Sequence, residues 1–104
     1  MSKIIVIDFD ETYTVNKPMW NQVIAVLRKH GMEVVCCTMR VGNPYMDRDV
    51  IEDMAAIQVP IIFAAHYHDK WDAMEKNGYI PENCIWIDDM PMFVWCNRDL
   101  STLP

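Results

Sequence analysis

The chain has 104 residues, of which 52% are hydrophobic and 23% are charged. This length and balance are those of one globular domain, and they exclude a disordered tail, a collagen-like chain or a charged low-complexity segment. Acidic residues outnumber basic ones by 15 to 9, and the resulting net charge of −6 argues against an extended nucleic-acid-binding surface or an anionic membrane as partner. Four of the acidic residues are Asp8, Asp10, Asp88 and Asp89, so much of the acidity is local if they share one site.

The cysteine pattern favours free thiols. No C-x-x-C pair occurs among Cys36, Cys37, Cys84 and Cys96. This spacing is poor for a zinc site or a disulfide framework, and buried thiols in a reducing compartment are the favoured interpretation. The apolar run near the N-terminus, residues 4–7, is too short for a signal peptide or a membrane span. We therefore expect a cytoplasmic protein.

Four short apolar runs predict β-strands. None of them alternates with polar residues, which is typical of strands buried on both faces in a parallel sheet that helices cover. The runs are Ile4 to Ile7, Val34 to Cys37, Ile61 to Ala64, and Ile85 to Ile87.

Helix signals lie between these runs. Asn16, Asn43 and Asp69 each predict the start of a helix, because their side chains can accept hydrogen bonds from the first turn. Gly31 and Gly78 predict the ends of the first and third helices. Strands and helices therefore alternate, which predicts an α/β fold, a three-layer Rossmann-like parallel sheet of about four to five strands with helices on both faces.

We expect a single domain over residues 1–104, with a core of about residues 3–91 and a short C-terminal tail over residues 92–104. The tail begins with an apolar run over residues 92–96. This run is either a fifth strand or a helical turn, and periodicity over so short a stretch does not decide between them.

Polar residues follow each predicted strand. In a parallel sheet with right-handed crossovers, the carboxyl ends of all strands lie at one edge, where ligands of open α/β folds bind. The residues after successive strands are Asp8 and Asp10, then Thr38, then residues 66–70, and finally Asp88 and Asp89. We therefore expect these side chains to converge.

The acidic residues at this edge predict a cation. Asp8 and Asp10 are two residues apart, so their side chains point to the same side of an extended backbone. Carboxylates that lie so close repel each other unless one is protonated or a cation lies between them. With Asp88 and Asp89 at the same edge, an all-oxygen site is expected, for which Mg²⁺ is the best match.

The order of these motifs resembles that of the haloacid dehalogenase (HAD) superfamily of phosphohydrolases. The first motif of the family, D-x-D-x-[TV], is matched by D-F-D-E-T from Asp8 to Thr12, and its second, a Thr or Ser after the second strand, by Thr38. Its third, a Lys at the start of a later helix, is best matched by Lys70, although Lys76 lies on the same predicted helix. Its fourth, a set of acidic residues after the fourth core strand, is matched by the D-D of I-W-I-D-D. The resemblance extends from residue 4 to about residue 91.

The resemblance implies a role for each motif residue. Asp8 would be the nucleophile that forms an aspartyl-phosphate, and Asp10 would be the general acid and base. Thr38 would donate a hydrogen bond to a phosphoryl oxygen, and Lys70 would offset negative charge on the phosphate and on Asp8.

The implied metal site has ligands from two segments. Mg²⁺ would be held by Asp8, by the backbone carbonyl of Asp10, and by one or both of Asp88 and Asp89.

The sequence departs from the family in two ways. Glu11 stands where the family often has Gly, and it brings a further carboxylate to the mouth of the site. The segments between Thr12 and Thr38 and between Thr38 and Lys70 each hold one helix and one strand, which leaves no space for a cap domain. We therefore expect a HAD-like core with an open site, and a homodimer is worth testing because uncapped members borrow cover from another subunit or act on large substrates.

Three further residues are candidate substrate contacts, Glu11, Arg40 and His66. Arg40 can bind a substrate phosphate, and a surface ion pair is an equally good interpretation. His66 and His68 lie in the loop before Lys70, where exposed polar residues are the usual case.

The predicted function is that of a Mg²⁺-dependent phosphatase acting on a phosphomonoester, either a phosphorylated small molecule such as a nucleotide or a phosphorylated polymer end. The alternative is a non-catalytic HAD-like module that binds a phosphorylated ligand or a protein partner through the same edge.

Overall fold

A four-stranded parallel sheet forms the centre of the protein in a computed structural model that describes residues 3–96. The strands are β1 (Ile4–Ile7), β2 (Glu33–Thr38), β3 (Ile61–Phe63) and β4 (Cys84–Ile87). Their order is β3-β2-β1-β4, and every neighbouring pair is parallel. The predicted α/β class and the parallel sheet are confirmed.

The two central strands, β1 and β2, are buried on both faces, as their uninterrupted apolar runs predict, whereas the edge strands β3 and β4 are only partly buried. Side chains of a strand point alternately to opposite faces. On β1, Ile5 belongs to one buried cluster and Val6 to the other. On β2, Cys36 belongs to the first cluster and Cys37 to the second, and neither has solvent-exposed surface.

Helices cover both of these faces. The first cluster contains Ile24 of α1 (Lys17–Lys29) and Val50 of α2 (Arg48–Ala56). The second contains Ala73 and Met74 of α3 (Lys70–Lys76). The predicted three-layer arrangement is therefore present in the described residues.

The predicted helix ends were partly right. The Asn16 side chain accepts a hydrogen bond from the backbone N–H of Met19 at 3.1 Å, and Asp69 accepts one from Asp72 at 2.8 Å, so both are the expected N-caps. Gly31 has φ of 82° and follows the end of α1, a conformation that glycine adopts without strain.

The predicted start of α2 at Asn43 was wrong. The Asn43 side chain accepts hydrogen bonds from the backbone N–H groups of Tyr45 and Met46, at 2.8 and 3.0 Å, and closes a separate turn. The helix begins only at Arg48, after Asp47. The carboxylate of Asp47 accepts a hydrogen bond from the backbone N–H of Asn43 at 2.8 Å. The side chains of Asn43 and Asp47 therefore both stabilise the loop before the helix.

The segment after β4 forms a helical turn, α4 (Pro91–Val94), and not a strand. It is followed by Trp95, whose ring meets that of Trp71 edge to face at a centroid distance of 4.5 Å. The Trp71 ring also stacks on Trp86 of β4 at 6.1 Å, so the aromatic side chains join α4 to α3 and the sheet. The rest of the tail, residues 97–104, lies outside the described residues.

The four cysteines are free thiols, of which Cys36 and Cys37 are buried. Burial raises the pKa of both thiols, that of Cys37 to about 12. None of the helices within residues 3–96 has both the length and the apolar character needed to cross a membrane.

Candidate active site

A cluster of carboxylates lies at the carboxyl edge of the sheet. Asp8 follows β1, and Asp88 and Asp89 follow β4, which is the direct neighbour of β1. The backbone N–H of Asp8 donates to the carbonyl of Ile87 at 2.9 Å, which carries the pairing of the two strands one residue further. As a result, Asp8, Asp88 and Asp89 each place an oxygen within 4.8 Å of the others.

Lys70 is a buried cation beside this cluster. It is the first residue of α3, directly after the N-cap Asp69, and its side chain is only 1% exposed. Its Nζ atom donates to Asp8 Oδ1 at 2.8 Å and also to Asp88 Oδ2. Lys76, the alternative on the same helix, is 61% exposed and pairs with Asp72, one turn earlier on α3. Lys70 is therefore the lysine that reaches the cluster.

Thr12 is a member of the site to which the sequence pattern assigned no role. Its hydroxyl lies 3.4 Å from Asp8 Oδ2 and 3.3 Å from Asp89 Oδ1, and it is buried. A hydroxyl has one hydrogen to donate, so it serves one of these carboxylates at a time. The signal was present, because the motif that begins at Asp8 ends in this threonine.

The side chain of Asp10 lies against Arg40 and is not part of the carboxylate cluster. Arg40 Nε donates to Asp10 Oδ2 at 3.0 Å, and Arg40 Nη2 donates to Asp10 Oδ1 at 2.6 Å. This is a two-point ion pair that holds the orientation of both groups. The structure thus brings Asp8, Asp88 and Asp89 together and places the Asp10 carboxylate against a cation.

Arg40 is shared by several carboxylates. Besides Asp10, it binds Asp49 through two hydrogen bonds of 2.8 and 3.0 Å and lies 3.4 Å from Asp47. Hydrogen bonding to Asp10 raises the pKa of Arg40, although burial opposes this. Its guanidinium also lies over the Phe9 ring, 5.4 Å from the centroid. A substrate phosphate at Arg40 would have to displace one of these partners.

Thr38 ends β2, the other neighbour of β1 in the sheet. It is completely buried, and its hydroxyl oxygen accepts a hydrogen bond from the backbone N–H of Arg40 at 3.4 Å. That bond leaves the hydroxyl hydrogen available as a donor.

Glu11 lies at the mouth of the site in a left-handed backbone conformation. Its φ is 60°, and its backbone N–H donates to the hydroxyl of Thr14 at 3.1 Å. Glycine adopts this conformation without strain, whereas a residue with a Cβ does so at a cost. This is a physical reason for glycine at this position of the motif.

The histidines after β3 lie outside the carboxylate cluster. His66 is exposed, and His68 is exposed with its Nε2 atom 2.8 Å from the carbonyl oxygen of Cys96. The contact of His68 joins the loop before α3 to the segment after α4.

The electrostatics of the cluster favour an added cation. The site raises the pKa of Asp8 to about 6; burial is the largest cause, Lys70 opposes it, and Asp89 and Asp88 add smaller increases. Burial lowers the pKa of Lys70, but its hydrogen bonds with Asp8 and Asp88 outweigh this effect and raise it above its ordinary value. An ionised Asp8 is therefore costly in this site.

A cavity of about 160 Å³ opens at the cluster, and we call it the central cavity. Asp8, Asp10 and Asp89 contribute its polar wall, and Met39 and Phe93 contribute to its apolar wall. The cavity brings a small ligand into contact with both the cluster and Asp10.

Comparisons of the chain with protein-family models, curated proteins and solved structures found no match. The chemistry of the site is therefore argued from its own residues.

Proposed function

We propose that the protein is a HAD-like phosphohydrolase, a Mg²⁺-dependent phosphatase that hydrolyses a phosphomonoester through an aspartyl-phosphate on Asp8. The observation that supports this proposal best is the carboxylate cluster with a buried ammonium group. Lys70 contacts Asp8 and Asp88 at the edge of the sheet where α/β folds bind ligands. The order of the motif residues along the chain supports the same function.

The donor set fits a divalent cation. The ionised side chains of Asp8, Asp88 and Asp89 carry three negative charges, and Lys70 offsets one, so a formal charge of −2 remains. Carboxylate oxygens are the ligands of hard cations such as Mg²⁺. Together with the backbone carbonyl of Asp10, these carboxylates would hold the ion. When bound, Mg²⁺ would offset the charge of the Asp8 carboxylate and of the substrate phosphate.

Each side chain then has a defined task. An Asp8 carboxylate oxygen attacks phosphorus, so a carboxylate O–P bond forms and the P–O bond to the alcohol breaks. Lys70 holds the Asp8 carboxylate in orientation, and the buried hydroxyl of Thr38 donates to a phosphoryl oxygen.

Asp10 would act as the acid and base. It protonates the departing alcohol oxygen and then takes a proton from the water that attacks the aspartyl-phosphate. To do so it must leave Arg40, which binds both of its carboxylate oxygens. A substrate phosphate is a competing anion for the same guanidinium and would help to release it.

The second candidate function is a non-catalytic module that binds a phosphorylated ligand or a protein partner. The observation that favours it is the ion pair of Asp10 with Arg40, because it directs the acid–base residue away from the cluster. The two functions share the cation site and differ in turnover.

Phosphate release from p-nitrophenyl phosphate and a panel of nucleotides, with and without Mg²⁺, tests the proposal. We expect Mg²⁺-dependent turnover in the wild type and a loss of at least about 10³-fold in Asp8→Asn, because the nucleophile is removed. Glu52→Gln is the matched control, since Glu52 is an exposed residue that pairs with Arg48 on the surface, and it should keep the activity. Mg²⁺ binding that depends on Asp8, without turnover of any substrate, would favour the binding module.

A further inference from the structure

A second cavity, a wide-open surface groove of about 350 Å³, lies beside the central cavity, and we call it the side cavity. Val15, Met19 and Trp20 form its apolar wall, where Met19 and Trp20 belong to the first turn of α1. Asp88 and Asp89 line the same cavity. The cavity therefore joins these apolar side chains to two members of the carboxylate cluster.

The two cavities share part of their walls. Glu11 and Asp89 line both of them, so the two cavities are neighbours. The central cavity has less than half the volume of the side cavity, 160 against 350 Å³. A phosphoryl group at Asp8 thus has room beside it for a larger, apolar group.

The charges around the cavities restrict what can enter. Within residues 3–96, the side chains that line the two cavities include no Lys, Arg or His. The nearby cations are already paired, Lys70 with Asp8 and Asp88 and Arg40 with Asp10 among others. Glu11 lines both cavities and is not a proposed Mg²⁺ ligand, so an additional phosphate or carboxylate on the substrate would meet a negative charge there.

We propose that the side cavity binds the uncharged, apolar portion of the substrate, and that the substrate is a phosphomonoester of a small aromatic or similarly apolar alcohol. A second anionic group in the side cavity is disfavoured, because it would lie beside the carboxylate of Glu11. This inference rests on the proposed function, because it takes the phosphoryl group to lie at Asp8.

Three non-hydrolysable probes separate the contributions of ring and charge. Methylphosphonate has the phosphoryl-like head alone, benzylphosphonate adds a phenyl ring, and 4-carboxybenzylphosphonate adds a carboxylate to that ring. Isothermal titration of the full chain with each probe, in the presence of Mg²⁺, gives the three affinities. We expect benzylphosphonate to bind about tenfold more tightly than methylphosphonate through burial of the ring, and the carboxylated probe to lose this gain.

A charge substitution locates the binding site. Met19→Lys places a cation on the wall of the side cavity, so it should weaken binding of benzylphosphonate and strengthen binding of the carboxylated probe, each by about fivefold or more. Val26→Lys is the matched control, because Val26 is an exposed residue of the same helix and lines a different cavity. Its affinities should equal those of the wild type.

Any of three results would overturn the inference. They are equal affinities for benzylphosphonate and methylphosphonate, no binding of either probe, and equal effects of Met19→Lys and Val26→Lys. Turnover of benzyl phosphate tests the proposed function separately. Ring-dependent binding without turnover would refute hydrolysis and leave the side cavity as a binding site. Turnover without a preference for the ring would refute the role of the side cavity and leave hydrolysis in place.

Discussion

Replacement of Asp8 by Asn is expected to change how the stability of the metal-free protein depends on pH. The folded protein raises the pKa of this carboxyl from 3.8 to about 6, mainly through burial. In the unfolded chain the carboxyl loses its proton near pH 4. Between these values the folded state binds more protons than the unfolded state, so the stability of the wild type falls as the pH rises.

The magnitude follows from the size of the shift. A difference of about 2 pKa units corresponds to about 3 kcal/mol. This is the amount by which ionisation of Asp8 destabilises the folded wild type, and it is small at pH 4 and complete at pH 8. The amide of the substituted side chain has no proton to lose in this range, so the variant lacks this penalty. The free energy of unfolding of Asp8→Asn, measured relative to the wild type, should therefore increase by about 2–3 kcal/mol from pH 4 to pH 8.

Urea denaturation in the presence of EDTA at several pH values measures this difference. Glu52→Gln, which removes a carboxylate from the exposed pair with Arg48, separates the effect of overall charge from the effect of the site. Mg²⁺ should stabilise the wild type more at pH 8 than at pH 5, because a protonated carboxyl is a poor ligand. A difference between Asp8→Asn and the wild type that stays constant from pH 4 to pH 8 would refute the reasoning.

Four other substitutions provide further tests, three of them at residues of the site. Lys70→Met leaves buried carboxylates without their cation, so it should lower the free energy of unfolding at pH 8 by about 3 kcal/mol or more. Urea denaturation without metal measures this, and an unchanged urea midpoint would contradict it. Glu11→Gly relieves the strain of a φ of 60° and should raise the free energy of unfolding by about 0.5–1 kcal/mol, as should Gln58→Gly at a φ of 56°. A lower free energy of unfolding in both variants would show that neither backbone is strained. Arg40→Gln removes partly exposed ion pairs and should lower the free energy of unfolding by about 1 kcal/mol at low salt and by less at 1 M salt. A decrease that does not depend on salt would argue against an electrostatic origin.

The central strands of the sheet were predictable because they are buried on both sides. Such strands have continuous apolar runs, and the observed β1 coincides with the run predicted from Ile4 to Ile7. The parallel order then places the residues that follow β1 and β4 side by side, which is why Asp8 and Asp88 meet.

The side-chain contacts of the loops that follow the strands were not predictable in the same way. Asp10 and Arg40 are 30 positions apart, and their ion pair depends on how the loops after β1 and β2 bend. Asn43 and Asp47 are both good capping residues, and sequence alone does not tell which of them begins a helix and which closes a turn. Local propensity therefore located the elements, whereas the three-dimensional arrangement of the loops determined these contacts.

The neighbouring thiols of β2 are natural reporters for the two sides of the sheet. Cys36 lies under α1 and α2, whereas Cys37 lies on the side of α3. Because both thiols are buried and their pKa is raised, an alkylating reagent reacts with each only after the layer above it has opened. The alkylation rates of Cys36 and Cys37 under native conditions would thus measure, without denaturant or an added label site, how often each helical layer separates from the sheet.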